Sequence, residues 1–351
     1  MNFFSINIIL FTSIAFSVDL ESIKDLYESK NYLDADIEIN AKINSEDLDA
    51  DFYNLASKVS LKLDDLTSAN NYINKAIELD PTNDEYRSYW DDLNAIRSSL
   101  NDAQKSFDNG FVDESLSSYN KLINNYPEFA LGYYNYGMIF YRIEDYDNAV
   151  VNLKKAKEIN RFNDKYSQAI NNIAAKLTQK GNEEYRRMEY DSALSFYKKA
   201  NSYYPEYSEA RFRSALIMNK ISDYIGAKTM LLENIYFDDS HLQSYKLLGD
   251  MYSKLGVIDS AIFFYESAVE INSNYDKAYF ALGKAYINNA DYHKAEVAFG
   301  NAIKANSKYA KAYENLGSIF SIKGDNLNAI KNYELAIEND SKNYQALSKI
   351  A

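Results

Sequence analysis

The chain has no cysteine among its 351 residues. This absence excludes a disulfide framework, a thiol nucleophile and a lipidated amino-terminal cysteine. Histidine is also scarce: His241 and His293 are the only two, and neither has a second plausible metal ligand near it in sequence. The chain has no HExxH motif, glycine-rich phosphate loop or nucleophile elbow. We therefore expect no catalytic activity, no cofactor and no metal site.

One acidic cluster has the spacing of a calcium loop without its other residues. Asp47, Asp49 and Asp51 match the first three acidic positions of such a loop. The loop also needs glycine at its sixth position and glutamate at its twelfth, where this chain has Phe52 and Lys58. We expect these acids to cap a helix start and to complement its dipole instead.

Basic residues are in the minority. Lys and Arg number 38 against 51 Asp and Glu, which gives a formal net charge of −13. No basic run exists, and this argues against nucleic acid as the main partner.

Proline and glycine are too sparse in every stretch to form a flexible linker. Hydrophobic residues, at 46% of the chain, supply ample material for a folded core.

The dominant pattern in the sequence is a repeat of 34 residues. Gly249, Gly283 and Gly317 lie 34 residues apart, within the local sequences YKLLGDMY, YFALGKAY and YENLGSIF. Two sets of alanines repeat in step: Ala261, Ala295 and Ala329, and Ala268, Ala302 and Ala336. Self-similarity at a fixed short period is typical of a solenoid.

Prolines and glycines fix the register of this repeat. We number the positions 1 to 34, with Ala310 at position 1. The other units then begin at Asp276, Leu242, Ser208, Ala174, Ala130, Ile96 and Ala50, and a degenerate unit begins near Phe16. All three prolines fall on position 32: Pro81, Pro127 and Pro205. Eight of the eleven glycines fall on position 8 (Gly137, Gly181, Gly249, Gly283, Gly317) or position 15 (Gly110, Gly256, Gly324).

Each position has a physical interpretation. Apolar residues at positions 4, 7 and 11 predict a first helix with one narrow buried stripe. Glycine at position 8 predicts close approach of a neighbouring helix, which outweighs its propensity cost of about 1 kcal/mol. Glycine at position 15 breaks the chain between two helices. Alanine at positions 20 and 27 keeps the second helix close to its neighbours, and proline at position 32 ends it.

This pattern resembles the tetratricopeptide repeat over nearly all of the chain after residue 17. The resemblance implies an all-α fold: a right-handed α-solenoid superhelix of about nine helix-turn-helix repeats with a short C-terminal cap. It also implies a non-catalytic protein–protein interaction scaffold, or adaptor, that binds a peptide segment or a partner protein. The usual binding site of the family is the concave groove lined by the first helices.

Two units are longer than the period. Pro81 and Pro127 lie 46 residues apart, and Ala149 and Ala193 lie 44 apart. In both units the extra residues continue a helical pattern, with apolar residues 3 and 4 apart. These are Tyr86, Tyr89, Leu93, Ile96, Leu100, Ala103 and Phe107 in the first unit, and Tyr166, Ile170, Ile173 and Leu177 in the second. We expect one long helix over 84–108 and a second extended first helix, both altering the superhelical path. The predicted domains are therefore 18–83, 84–163 and 164–351.

The first 17 residues carry no formal side-chain charge. Ala15 and Ser17 supply small residues at −3 and −1 of a cleavage site, after a largely apolar stretch that is short for a bilayer span. We expect residues 1–17 to be a signal peptide cleaved between Ser17 and Val18, which places the protein in the periplasm or outside the cell with no membrane span. A retained anchor and an ordinary first helix are the alternatives.

Most of the 33 tyrosines are expected to be packing residues. Tyr53, Tyr133, Tyr245, Tyr279 and Tyr313 occupy position 4, and Tyr119, Tyr197, Tyr265 and Tyr333 occupy position 24. Exposed aromatics would instead favour polysaccharide or peptidoglycan binding. A structural spacer with an empty groove is a further alternative.

The groove should be lined by positions 2, 5, 9 and 12 of the first helices, opposite the buried stripe. The candidate binding residues are Leu131, Tyr134, Met138, Tyr141, Phe212, Leu216, Lys246, Asp250, Lys277, Phe280, Lys284, Lys311 and Glu314. Along the chain they change from apolar to mildly basic. We therefore expect the ligand to be an extended protein segment with an apolar stretch and an acidic stretch.

One subtype of the resembled family is not expected. Its chaperone-binding members hold a terminal carboxylate with Lys at position 5, Asn at 9, Asn at 6 of the next unit, then Lys at 2 and Arg at 6. Lys246 fits, but Asp250 and Ala281 do not, and Lys311 is followed by Asn315 where Arg belongs. The sequence therefore does not predict a chaperone-tail receptor.

Overall fold

A computed structural model describes residues 20–44 and 48–350. Within these ranges the chain is all-α, with nineteen helices and no strand. The helices form nine consecutive pairs, each joined by a tight turn, and a single short helix follows. The predicted solenoid of about nine helix-turn-helix repeats is confirmed.

The helix bounds, in chain order, are α1 (Leu20–Glu28), α2 (Tyr32–Lys42), α3 (Ala50–Lys62), α4 (Leu66–Leu79), α5 (Asp84–Asp108), α6 (Val112–Asn125), α7 (Ala130–Arg142), α8 (Tyr146–Ile159), α9 (Asp164–Arg186), α10 (Tyr190–Tyr203), α11 (Ser208–Lys220), α12 (Tyr224–Phe237), α13 (Leu242–Lys254), α14 (Ile258–Ile271), α15 (Asp276–Asn288), α16 (Tyr292–Ala305), α17 (Ala310–Ile322), α18 (Asn326–Asn339) and α19 (Tyr344–Ile350). First helices begin at the predicted unit starts in the six regular repeats. The two predicted long helices are α5, with 25 residues, and α9, with 23.

Position 15 has a left-handed backbone in all nine repeats. Gly110, Gly256 and Gly324 have φ between +74° and +87°. The other six repeats have a larger residue there, also with positive φ: Lys30, Asp64, Glu144, Met188, Ser222 and Ala290. This conformation ends the first helix, because it turns backbone N–H groups back onto the last free carbonyls. Glycine at position 15 indicated the turn, but the turn does not require glycine in every repeat.

Aspartate at the next position starts the second helix. In five repeats its side chain accepts a hydrogen bond from a backbone N–H of the first helical turn: Asp65, Asp145, Asp223, Asp291 and Asp325. An N-cap of this type satisfies N–H groups that have no partner within the helix. The turn and the second helix are therefore specified by adjacent residues.

In four of the five repeats with glycine at position 8, this glycine lies against the aromatic ring at position 24 of the same repeat. A Cβ on Gly283 would lie 2.7 Å from the Phe299 ring, and one on Gly249 would lie 2.5 Å from the Tyr265 ring. The predicted close approach of a neighbouring helix is confirmed at these sites. The second helix lies so close that its aromatic ring occupies the space of the missing side chain.

How deeply a tyrosine is buried depends on its position in the repeat. The four at position 24 are buried, as predicted: Tyr119, Tyr197, Tyr265 and Tyr333. At position 4 only Tyr53 is fully buried, whereas Tyr133, Tyr245, Tyr279 and Tyr313 are half-buried. All four still pack against the hydrophobic core, so the prediction that they are packing residues is confirmed, although they are less buried than expected. Their rings lie at the edge of the stripe, where a long amphipathic side chain can extend its polar end towards water.

One residue of the acidic cluster, Asp49, caps α3. The Asp49 side chain accepts a hydrogen bond of 2.8 Å from the Phe52 backbone N–H, and Asp51 accepts one of 2.7 Å from the Tyr86 hydroxyl. The helix-capping interpretation is confirmed for Asp49. Asp47 lies outside the described residues, as does the predicted signal peptide of residues 1–17.

The chain divides into two compact units, residues 1–173 (unit 1) and 174–351 (unit 2). The predicted division into 18–83, 84–163 and 164–351 stays a prediction. Across residues 20–44 and 48–350, none of the helices has the length and apolar character that crossing a membrane requires.

Unit 1 has contacts between repeats that are not neighbours. The Asp64 carboxylate, at position 15 of the second described repeat, accepts hydrogen bonds from the Asn160 side chain at 2.7 Å and the Asn163 side chain at 3.0 Å. It also accepts one from the Tyr166 hydroxyl. Each repeat in a regular solenoid contacts only its neighbours. These bonds join the turn after α3 to the loop before α9, about one hundred residues later.

Candidate functional site

Two adjoining cavities run along the first helices of unit 2, and we call them together the lysine groove. Their volumes are about 470 and about 520 Å³, and they share Phe280 and Lys284. Seven of the predicted groove residues line them: Lys246, Asp250, Lys277, Phe280, Lys284, Lys311 and Glu314. The structure therefore brings the C-terminal half of the predicted set together.

Helical spacing places these side chains on one surface. Lys277, Phe280 and Lys284 occupy positions 2, 5 and 9 of α15, three and four residues apart, so they project from the same face. The buried residues of α15 include Ala278, Leu282 and Ala285, which belong to the opposite stripe. The repeat then places α17, with Lys311 at position 2, beside α15.

Not all the charges in the groove are available to a ligand. Lys246 is paired with Asp250 at 2.6 Å, and the Tyr265 hydroxyl donates to the same carboxylate at 2.8 Å. Lys277, Lys284 and Lys311 are exposed and form no ion pair with any residue that the structure describes. Six lysines line the groove in all, against three acidic residues. The groove is therefore positive although the chain has a net charge of −13.

The floor of the groove is aromatic. The Phe280 ring lies 5.0 Å from the Tyr309 ring and 5.6 Å from the Phe299 ring. Burial raises the pKa of Tyr309, and Asp276 adds to that shift, so its hydroxyl stays neutral. An apolar floor below free ammonium groups suits a chain that carries both apolar side chains and carboxylates.

The acidic residues at the far end of the groove have partners within the fold. The Glu314 carboxylate accepts a hydrogen bond of 3.0 Å from the Asn343 side chain. Asp340 accepts one of 3.0 Å from the Lys342 backbone N–H. Glu314 therefore helps to hold the turn before α19 against α17, whereas Asp340 stabilises that turn itself.

Unit 1 has a smaller, aromatic cavity, which we call the Tyr134 cavity. Its volume is about 150 Å³, and Tyr134, Met138 and Tyr141 of α7 line it. Residues of α9 complete it: Lys165, Gln168, Ala169 and Asn172. The Lys165 ammonium lies 5.0 Å from the centre of the Tyr134 ring. Burial lowers the pKa of Lys165, and the Asp64 carboxylate opposes that shift.

Comparison with known families identifies the repeats. Residues 50–83 and 130–163 match a tetratricopeptide repeat model. Residues 280–344 match a second tetratricopeptide repeat model, and residues 249–289 match a TPR repeat model. The chain is a tetratricopeptide repeat protein. Proteins of this family are generally non-catalytic scaffolds for protein or peptide partners, and this TPR protein is an interaction scaffold.

Solved TPR structures are similar to parts of this chain. The crystal structure of MamA has 24% identity and a TM-score of 0.43, and the match covers 47% of this chain and 96% of MamA. YrrB, described as a TPR protein with an unusual peptide-binding site, has 19% identity and a TM-score of 0.39 over 66% of this chain and 96% of its own. The C-terminal part of a TPR protein from Cytophaga hutchinsonii has 16% identity and a TM-score of 0.44. This match covers 72% of this chain and 99% of that structure. No curated protein matches the sequence.

Three predicted residues lie outside these cavities. Leu131 is half-buried and packs on the core cluster that contains Ile96 and Ile139. The Phe212 ring lies 5.0 Å from the His241 ring, and Leu216 is half-buried on α11. The His241 side chain also caps α13 by accepting from the Ser244 backbone N–H. Position in the TPR register therefore does not by itself place a side chain in a groove.

The structure adds groove residues that the sequence did not indicate. Tyr309 comes from the turn between repeats, and Lys342, Tyr344 and Gln345 come from the start of the final helix and its turn. Gln345 occupies position 2 of the tenth unit, so extending the register by one more unit would have found it. Tyr309 occupies position 34, and nothing in the repeat pattern indicates that a residue at this position lines a groove.

Proposed function

We propose that the lysine groove binds an extended, acidic segment of a partner protein. The observation that carries this proposal is the set of three lysines without an ion-pair partner, Lys277, Lys284 and Lys311, above an aromatic floor. Like charges gathered on one surface of an acidic protein raise its unfavourable self-energy. A ligand with carboxylates relieves that repulsion, so the arrangement favours an anionic partner.

The two parts of the groove contribute differently to binding. The lysines are exposed, so their pairs with a ligand steer association and are weakened by salt. Phe280 and Tyr309 offer apolar area, and burial of apolar area contributes about 25 cal/mol per Å² whatever the salt concentration. We therefore expect an acidic segment that also carries aliphatic or aromatic side chains.

We propose a separate role for the Tyr134 cavity in unit 1. Its walls are aromatic and thioether groups, and its volume of about 150 Å³ suits one apolar side chain of a partner protein. Methionine adapts to ligand shape, and tyrosine rings supply rigid contact area. That a single segment carries both the apolar and the acidic stretch stays a prediction.

The groove can be tested with a labelled octa-glutamate peptide and a neutral octa-glutamine peptide. We expect the intact protein to bind octa-glutamate with an affinity that falls as salt rises, and to bind octa-glutamine far more weakly. Lys277→Glu with Lys284→Glu should abolish the binding of octa-glutamate. Lys304→Glu with Lys331→Glu is the matched control, because it makes the same change in net charge at exposed lysines outside the groove. Equal loss in both variants would show a net-charge effect and would contradict the groove as the site.

We also propose that the protein works in the bacterial cell envelope. The uncharged apolar start and the Ala15 and Ser17 pair support this location. Mass spectrometry of the native protein should find Val18 at or near its amino terminus, in an extracytoplasmic fraction. An intact Met1 on protein from the soluble cytoplasmic fraction would contradict the proposal.

A further inference from the structure

Helix α12 (Tyr224–Phe237) is apolar on the side that faces away from its own fold. Its buried residues are Ala227, Leu231 and Asn234. On the opposite side, Ile225 is 81% exposed, Leu232 39% and Tyr236 83%. An exposed apolar row on a surface helix is typical of an interaction site. Within the described part of the chain, Ile225 and Tyr236 of this row are largely open to solvent.

The equivalent helices of unit 2 differ from α12 at the same positions. Positions 18, 22, 25 and 29 form the outer row of each second helix. They are Asp191, Ser195, Lys198 and Ser202 in α10, Ile225, Thr229, Leu232 and Tyr236 in α12, Asp259, Phe263, Glu266 and Glu270 in α14, His293, Val297, Gly300 and Lys304 in α16, and Leu327, Lys331, Glu334 and Glu338 in α18. Every row except that of α12 has at least one charged residue. Within unit 2 the apolar surface is therefore specific to α12 and is not a property of the repeat.

The outer row of α12 has the spacing of a coiled-coil seam. Ile225, Thr229, Leu232 and Tyr236 are 4, 3 and 4 residues apart, which assigns them to alternating d and a positions of a heptad. Lys228 then falls on a g position and Glu233 on an e position. These two residues flank the seam on opposite sides and one turn apart.

Both flanking charges are accessible to a second molecule. Lys228 is exposed and forms no ion pair with the residues that the structure describes. Glu233 is half-exposed, and its nearest cation is the Arg211 guanidinium at 4.0 Å. Arg211 is itself buried and also lies over the Phe237 ring, so Glu233 retains an exposed face.

We propose that α12 is the contact surface of a symmetric dimer, in which it packs parallel to α12 of a second copy of this chain about a two-fold axis. Each seam residue then meets its own equivalent. In a parallel pair, a g residue of one helix lies beside the e residue five positions later on the other. Lys228 of each copy therefore pairs with Glu233 of the other, and both pairs form at once.

The charge pattern selects this arrangement over the alternative. In an antiparallel pair, g residues face g residues and e residues face e residues. Lys228 would then face a second lysine and Glu233 a second glutamate, and like charges in contact are destabilising. The pattern is complementary to itself only when the helices are parallel.

A cavity beside the seam extends the apolar surface. It has a volume of about 230 Å³ and lies between α12 and α13. Ile225 and Lys228 form its α12 edge, and Met251 of α13 and Leu255, which follows that helix, line the other side. It shares no residue with the lysine groove. The dimer surface is therefore independent of the proposed peptide-binding site, and either proposal can fail without the other.

The association is tested first by sedimentation equilibrium of the full chain at micromolar concentrations. We expect a dimer for the wild type and a dissociation constant at least about tenfold higher for Leu232→Glu, which places two carboxylates in the seam. Val297→Glu is the matched control, because Val297 is an exposed apolar residue of the outer row of α16, two repeats away. A monomeric wild type, or a Leu232→Glu variant that still dimerises as tightly, would overturn the proposal.

Two further variants test the parallel pairing. Lys228→Glu and Glu233→Lys should each weaken the dimer, by roughly tenfold, and the double variant should restore it. Because the chain has no cysteine, Ile225→Cys gives one thiol per copy, and mild oxidation should link two copies covalently in the parallel arrangement. A dimer without that link, or a double variant as weak as the single ones, would contradict the parallel α12 pair. Circular dichroism of each variant confirms that it is folded.

Discussion

A missing side chain sets the distance between the two helices of a repeat. At Gly283 an added Cβ would lie 2.7 Å from the ring of Phe299, which is fully buried. A buried ring has little freedom to move, because protein interiors are close-packed. Any larger residue at this position must push α15 and α16 apart.

We expect Gly283→Leu to lower the free energy of unfolding by about 1–3 kcal/mol or more, because it overpacks this contact. His293→Ala should change it by less than about 0.5 kcal/mol, because His293 is exposed in the first turn of α16. Urea unfolding followed by circular dichroism measures both. Equal changes would show that the repeat register is wrong.

At position 15, single residues predict only some of the turns between helices. Glycine identified three of the turns from the sequence, yet Met188, Ala290 and four other residues have the same left-handed backbone. A non-glycine residue pays about 1–2 kcal/mol for that conformation. The capping hydrogen bonds and the packing of both helices outweigh that cost, so the turn forms where the local sequence does not favour it.

At the scale of helices and turns, periodicity predicted the elements well. It located α5 at residues 84–108 and the starts of the six regular first helices. These features depend on local spacing, and a single sequence contains that information. The contact between Asp64 and residues 160–166 could not be predicted, because the period describes only how one repeat follows another.

Asp64 should therefore stabilise unit 1 beyond what neighbouring repeats provide. We expect Asp64→Asn to lower the free energy of unfolding by about 1–3 kcal/mol, because the change removes a charged acceptor from three hydrogen bonds. Asparagine tolerates the positive φ of residue 64, so the turn itself should survive. Urea unfolding gives the change in stability.

Ser222→Asn provides the control, because Ser222 has the same position and the same backbone conformation in unit 2. It should alter stability by less than about 0.5 kcal/mol. Tyr166→Phe in a double-mutant cycle with Asp64→Asn should give a coupling energy well above zero. Additive effects of the two changes would show that the hydrogen bond between them does not contribute.

At the scale of the whole molecule, the groove was only partly predictable. The helical register placed Lys277, Phe280 and Lys284 on one surface, because their spacing is local. It could not show that Asp250 pairs with Lys246 or that Leu131 packs into the core, since both depend on rotamers and on the neighbouring repeat. Charge counted from sequence thus includes residues that are already paired.

A group of buried tyrosines gives the molecule a common response to alkaline pH. Burial raises the pKa of Tyr119 to about 12 and that of Tyr197 to about 12, and it also raises the pKa of Tyr166, Tyr265 and Tyr286. The folded state therefore holds these protons more tightly than the unfolded chain, whose tyrosines titrate near pH 10. Stability should be insensitive to tyrosine titration below about pH 10 and should fall as pH rises from about 10 to 12.

Tyr119→Phe isolates one part of this response. The Tyr119 hydroxyl is buried and has no hydrogen-bond partner within the described residues, so its removal should leave stability unchanged or slightly higher near pH 7. Between about pH 10 and 12 the variant should become more stable relative to the wild type. The wild-type unfolded state is stabilised by releasing the Tyr119 proton, and the variant has no such proton to release. Melting temperature against pH measures this difference, and tyrosinate absorbance shows when the rings ionise. If the two melting curves stay parallel to pH 12, or if the rings ionise near pH 10 while the helices remain folded, burial does not hold these protons.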